Sequence, residues 1–493
     1  MPDRVAKQLI LLLDGTWNDA DVGPCDTNIV RLRELINRSL TAEPMPSDSR
    51  SFATDRKFQP DEKHRLIFYE RGVGTGPLLD RFYGGALGKG LESNVRRAYK
   101  FLSWYYEPGD EIFIFGFSRG AYTARSLVGV LGSAGLLKRT SCDEGNEHKV
   151  WDYYRTATND RVPGRFDELT AYVHDRESFE IACIGVFDTV GALGVPLPVF
   201  FRLNREAHGF HDVDLGSITA CNLHALAIDE HREPFQATVW RKPKFKTFKA
   251  DMLVEQVWFA GAHGDVGGGY TTEWDRPTLV HGTWQHRRSL DDITLDWMLK
   301  RVLYRFPDFP VRLEDREVDG IVYPRVWAPI DESWSDAPHH DPRKGLYLAR
   351  PHVVRAINNY AGRGRSWPRH PPYLAPDKFV GYDRHSEPLG EAIHVSALLR
   401  YGRAVGLEGK KVVYRPENLR RVLPYVAATY GLVDRIVLER PILVVDWSGN
   451  RLDPAASGAR EVIARLFAVG NVIRSDLDER VKEVLLHTPR IES

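Results

Sequence analysis

Apolar positions in this chain gather into short continuous runs set between longer stretches where they recur every three or four residues. The runs at 9–13, 65–69, 112–115, 179–187, 254–260 and 442–445 have the length and composition of buried strands. Helical spacing covers 28–40, 91–106, 121–131, 147–156, 289–303, 459–466 and 479–486. In 289–303, Ser289 or Asp291 stands near the N-cap and acids fill the first turn. Strands that are mostly apolar, separated by helices, predict an α/β fold: a mostly parallel central sheet with helices on both faces, a three-layer sandwich. Residues 44–60 are polar and contain proline and serine, which predicts an exposed loop.

From Phe306 to about Phe379 the periodicity is lost, prolines and arginines become frequent and aromatics scatter. A stretch this long is either a lid or substrate-side insertion, or a surface excursion without catalytic part. The expected division is a catalytic core at 1–305, an irregular insertion or lid at 306–380, and a C-terminal part packing on the core at 381–493.

The chemistry concentrates at strand ends. Gly116-Phe117-Ser118-Arg119-Gly120 lies between a buried strand and a helical pattern. A G-x-S-x-G there raises the serine hydroxyl at the carboxyl edge of the sheet on a sharp, strained turn, as a nucleophile elbow. Asp188 follows the fourth strand, where a buried carboxylate would orient a histidine; the plain alternative is an Asx turn. His263 follows the next strand within Gly261-Ala-His-Gly-Asp-Val-Gly-Gly-Gly-Tyr270. The chain holds 17 histidines, so His263 stands out by its place in the order Ser118, Asp188, His263, that of α/β-hydrolases. His394 is its rival as base. The N–H of Arg119 is a candidate oxyanion donor. The loop at Gly15 and Thr16 after strand one either supplies the second donor or is a simple turn. Asp14 and Asp265 are possible supporting groups. Asp14-Gly15-Thr16 is not a haloacid-dehalogenase signature, because the nucleophilic aspartate's position holds Leu12, and the glycine-rich stretches 72–76 and 84–90 do not make a phosphate-binding loop.

Composition narrows the picture. Equal counts of 67 basic and 67 acidic residues leave no bulk charge for nucleic acid. Four cysteines without C-x-x-C spacing suggest neither a zinc knuckle nor a disulfide framework. The N-terminus imitates a signal peptide, but its apolar run is short and ends on Asp14-Gly15. No run approaches the ~20 residues of a membrane span, so a cytoplasmic chain is expected.

Several segments together carry a resemblance: Leu13-Asp-Gly-Thr-Trp-Asn18, Gly90-Leu-Glu-Ser-Asn-Val95, Gly116-Phe-Ser-Arg-Gly-Ala-Tyr-Thr-Ala-Arg125, Phe187-Asp-Thr-Val190, the 261–270 loop and Tyr414-Arg-Pro-Glu-Asn-Leu419. The chain resembles the DUF2235 family, which includes the catalytic domain of type VI secretion phospholipase effectors of the Tle1 kind. The resemblance implies a nucleophile at Ser118, an acid at Asp188 and a base at His263. It further implies a lipid or phospholipid ester as substrate, no cofactor, transient contact with a membrane surface, an immunity or carrier protein, and export by a contact-dependent system. Two other readings stand beside it. One is a carboxylesterase or polyester depolymerase acting on a non-lipid substrate. The other is a metal-dependent phosphoesterase built on Asp14, Asp188, His263 and Asp265.

Overall fold

A computed structural model describes residues 5–15, 26–40, 54–57, 64–72, 84–156, 164, 166–190, 218–232, 235–240, 251–270, 278–280, 283–285, 288–318, 321–343, 347–348, 352–358, 389–432 and 441–468. Its centre is a nine-stranded sheet. In chain order the strands are β1 Gln8–Leu13, β2 Thr54–Lys57, β3 His64–Glu70, β4 Glu111–Phe117, β5 Ile181–Phe187, β6 Thr219–Ala227, β7 Leu253–Phe259, β8 Glu391–His394 and β9 Leu443–Val445. Across the sheet they run β9-β8-β7-β6-β5-β4-β1-β3-β2. All pairings are parallel except that of β2 with β3.

Period-two alternation divides the core into layers. Leu9, Leu11 and Leu13 of β1 pack with α2 Gly84–Tyr105 and α3 Arg119–Ala134. Ile10 and Leu12 point the other way, toward α1 Asn28–Leu40 and the helix Leu290–Arg305. A third cluster under β7, β8 and β9 takes in the helices Glu417–Thr429 and Ser457–Ala468. The expected three-layer α/β sandwich is therefore present. Helix Leu290–Arg305 opens as expected after Ser289, whose N–H donates to Asp292 Oδ2 at 3.1 Å.

Four elements depart from the sequence pattern. β2 Thr54–Lys57 stands within the stretch 44–60 expected as a loop, where it pairs antiparallel with β3 as the edge strand of the sheet. β6 was not marked by its hydropathy: Thr219-Ala-Cys-Asn-Leu-His-Ala-Leu-Ala227 mixes helix formers with polar side chains. Flanked by β5 and β7 it is buried throughout, and its polar groups are satisfied internally. Asn222 donates to Leu253 O at 3.2 Å, and His224 Nε2 accepts from the Thr189 N–H at 3.2 Å. α2 begins at Gly84 rather than Leu91; once nucleated, a helix propagates through glycines that cost only about 1 kcal/mol each. β8 adds a strand at 391–394 that lacks a long apolar run. The helix expected at 479–486 and most of the loop at 44–60 lie outside the described residues.

The topology locates the site. β1 sends the chain to β3 on one side and, after β3, to β4 on the other. The carboxyl ends of β1 and β4 thus meet where the connections diverge, the place where open α/β sheets bind ligands.

Candidate active site

Register aligns the strand ends at this edge: Leu13 lies opposite Gly116, Phe117 opposite Phe187, Phe187 opposite Ala225, and Ala227 opposite Phe259. Asp14, Ser118 and Asp188 directly follow Leu13, Phe117 and Phe187, and His263 comes shortly after Phe259.

Ser118 has φ 57° and ψ −118°, a strained conformation between β4 and α3. Its N–H donates to Phe187 O at 3.0 Å, and its carbonyl accepts from the Tyr122 N–H at 3.2 Å. The turn needs its glycines. A Cβ on Gly120 would lie 2.0 Å from Leu13 O, and one on Gly116 would lie 2.7 Å from Ala121 Cα. Strand, elbow and helix are locked together by backbone contact.

Asp188 is fully buried at the end of β5, with φ 40°, a region Asp tolerates better than most residues. His263 opens the short helical turn His263–Gly267 after β7. Its Nδ1 lies 2.6 Å from Asp188 Oδ2. With Asp188 ionised, that contact places the proton on Nδ1 and leaves Nε2 as the acceptor. The imidazole is held between Phe117, at 4.7 Å between ring centroids, and Phe235, at 5.1 Å. A Cβ at Gly267 would come within 2.0 Å of the Phe117 ring, so the glycine run after His263 makes room for the residue preceding Ser118. Asn28 ties the loop to α1 by donating to Val266 O at 3.0 Å and to Thr294 Oγ1 at 3.1 Å.

Sequence reasoning missed Arg355. It comes from the irregular stretch after Phe306 and is 2% exposed. Its Nη1 donates to Asp188 Oδ1 at 2.6 Å and to Ala227 O at 2.8 Å; its Nη2 donates to Asp188 Oδ2 at 3.0 Å and to Phe235 O. Asp188 also accepts from the Ala227 N–H at 3.0 Å. Burial alone would push its carboxyl up. The Arg355 charge and the hydrogen bonds from His263 and Arg355 override that and hold it well below the usual carboxylate range. For His263 burial wins: it lies below its ordinary 6.5, against the upward pull of Asp188. A lone arginine in aperiodic sequence gives no signal that could have found Arg355.

The remaining candidates separate. Asp265 turns away from His263: it accepts from the Ala262 N–H at 2.8 Å and meets His340 Nδ1 at 2.6 Å, forming a second acid–imidazole pair. Asp14 accepts from Thr27 Oγ1 at 2.9 Å, Tyr69 Oη at 2.9 Å and the Gly15 N–H at 2.7 Å, and burial raises it to about 6. The Gly15 N–H is thus committed to Asp14, and Thr16 lies outside the described residues. His394, buried at the end of β8, has its Nδ1 2.8 Å from Ser396 Oγ and its ring against Phe259 and Trp447. It does not reach Asp188. Among the described residues no group of three or more His, Cys, Asp or Glu could hold a metal ion. Both Asp188 oxygens face Arg355, and Asp14 and Asp265 are engaged elsewhere.

Residues 7–301 match the model of the type VI secretion phospholipase effector Tle1-like catalytic domain. The chain belongs to this family. A curated relative, the uncharacterized protein YEL023C of Saccharomyces cerevisiae, is 25% identical over 254 residues, 47% of this chain and 32% of that protein. The chain therefore spans about a third of that relative's length. Two solved structures are similar at 17% identity. One is an uncharacterized protein from Pseudomonas aeruginosa, with TM-score 0.36 over 61% of this chain and 46% of that one. The other is the Tle1 effector bound to the VgrG spike of the type 6 secretion system, with TM-score 0.27 over 55% and 52%. Among the described residues no helix is long and apolar enough to cross a membrane.

Proposed function

We propose that this chain is a serine lipase of the phospholipase type, cleaving acyl esters through Ser118, His263 and Asp188. The observation that carries the reading is the strained elbow at Ser118 on the same sheet edge as the 2.6 Å Asp188–His263 hydrogen bond. Family membership supports lipolytic hydrolysis as the reaction class.

In this mechanism Ser118 Oγ attacks the ester carbonyl while His263 Nε2 takes its proton. Asp188 stabilises the resulting imidazolium through Nδ1. The Arg119 N–H, at the start of α3, and a donor from the Thr16 loop hold the oxyanion, each worth roughly 3 kcal/mol. His263 then hands its proton to the leaving alkoxide, an acyl-Ser118 remains, and water activated by the same imidazole releases the fatty acid. No step calls for a cofactor. Residues 306–380 act in this reading as an insertion that brings Arg355 and His340 to the core at 1–305, with 381–493 packed beside it. Contact with a lipid surface, a carrier or immunity partner, and export by a contact-dependent system accompany it.

The test is turnover of mixed phospholipids and short acyl esters by the protein and its Ser118→Ala variant, followed by mass spectrometry. Release of fatty acid and lysophospholipid that the variant lacks is expected. Cleavage of short esters alone would withdraw the lipid substrate, and a rate retained without the hydroxyl would overturn the mechanism.

A further inference from the structure

The residue after the nucleophile has a side chain as well as an N–H. Among the described residues six arginines are buried: Arg65, Arg119, Arg125, Arg301, Arg355 and Arg400. Five have acceptors: Arg65 on Gln8, Arg125 on Thr238 O, Arg301 on Glu255, Arg355 on Asp188, and Arg400 on the carbonyls of Ser335 and Ala337. Arg119 is the exception. It is 6% exposed, and whereas Arg355 and Arg400 leave Nε unpaired but donate from both Nη atoms, no described residue pairs with the Arg119 guanidinium at all. A buried cation without a partner is costly, and such an orphan asks for an explanation.

Its surroundings supply one. Tyr347 is the electrostatic neighbour of Arg119, opposing the burial that lowers the guanidinium to about 10. The Tyr347 ring is 6.2 Å from that of Phe235, which packs on His263. The Arg232 guanidinium lies 5.4 Å from the same tyrosine ring, but it is already paired with Glu230 at 2.8 Å. Arg119 therefore offers unpaired positive charge near Tyr347, which connects through Phe235 to His263, and its backbone directly follows Ser118.

We infer that Arg119 is a specificity-determining residue that binds an anionic phosphate oxygen of the substrate beside the ester Ser118 attacks. This rests on the serine-lipase reading and names what that site selects. In a glycerophospholipid the phosphate hangs on the glycerol carbon next to an acylated one, so ester and anion arrive together. Guanidinium suits phosphate because it is planar, permanently charged and weakly hydrated. A neutral diacylglycerol leaves the guanidinium unmatched, and the site discriminates against it.

The experiment compares phosphatidylcholine with diacylglycerol of the same acyl chains in identical mixed micelles, using the protein and its Arg119→Gln, Arg119→Lys and Ser118→Ala variants. Glutamine is expected to lower the phospholipid-to-diacylglycerol ratio of kcat/KM by about 10- to 100-fold, the range of one lost hydrogen bond to a charged group. Lysine, which keeps charge but not the planar fork, should recover part of it. Glycerophosphocholine should inhibit hydrolysis of a short neutral ester, less so in the glutamine variant. An equal fall on both lipids in both Arg119 variants would overturn the inference and leave Arg119 a structural group. So would inhibition by inorganic phosphate with the lipid ratio unchanged, which would mark a free-anion site only. Turnover surviving in Ser118→Ala would overturn the serine mechanism instead, while the lipid ratio would still report on Arg119.

Discussion

His263 and His394 stand at the ends of β7 and β8, neighbouring strands of one sheet, and both are buried. Their surroundings give them different chemistry. His263 faces the Asp188 carboxylate, has aromatic rings on two sides, and shares an edge with the Ser118 elbow. His394 turns its Nδ1 back to the Ser396 N–H and hydroxyl, capping its own short helix, and lies against Phe259 and Trp447. Burial, then the Lys300 charge, lowers it to about 3, so it is neutral at any physiological pH. Placement at a strand end therefore does not make a base. What sets His263 apart is the Asp188 carboxylate behind its ring together with the edge it shares with Ser118.

The sharpest way to break the comparison is to delete each imidazole. His263→Ala should reduce kcat by about 10⁴-fold or more, as loss of a triad member does. His394→Ala should leave kcat within a few-fold and destabilise the fold by about 1–3 kcal/mol through lost packing and a lost cap. Steady-state rates alongside thermal melts decide; a large kcat loss at His394 with an intact fold would reverse the assignment.

Next in size is the group that distinguishes the His263 site from other acid–imidazole pairs. Arg355→Gln leaves the buried Asp188 carboxylate short of its guanidinium, and a broken buried pair costs about 3–5 kcal/mol. The less-neutralised carboxylate should also draw the His263 proton more strongly, moving the acid limb of kcat/KM to higher pH. The flanking groups at that imidazole are Asp188, Arg232 and Glu230, and all three remain. A melt that falls while the pH profile stays fixed would make Arg355 structural only.

The smallest effect concerns the unmodified protein. Burial lowers His263 below 6.5, and only neutral imidazole accepts the serine proton. The acid limb of kcat/KM should therefore lie below pH 6.5, with activity persisting into mildly acidic solution. A limb above 6.5 would mean that Asp188 outweighs burial. Asp188 itself has a carboxyl lowered by folding, so its stabilising contribution is present above the ordinary value of 3.8 and is lost as pH falls below it.

Much of this was written along the chain. Apolar runs of four to nine residues are too short for buried helices and satisfy their backbone by pairing, so β1, β3, β4, β5 and β7 follow from hydropathy, and G-x-S-x-G between strand and helix specifies an elbow because only glycine admits the backbone contacts at Gly116 and Gly120. The order Ser118, Asp188, His263 could be read because parallel strands put their carboxyl ends on one edge. Tertiary structure decided what local pattern does not encode. β6 is a strand because its neighbours bury it and its polar side chains find partners across the sheet. Asp265 belongs to His340 rather than His263, Gly15 spends its N–H on Asp14, and Arg355 reaches Asp188 across 167 positions of sequence. Those choices depend on which charges and donors come within about 3 Å in a dry interior, where an unpaired group is expensive, and such distances exist only after the chain has folded.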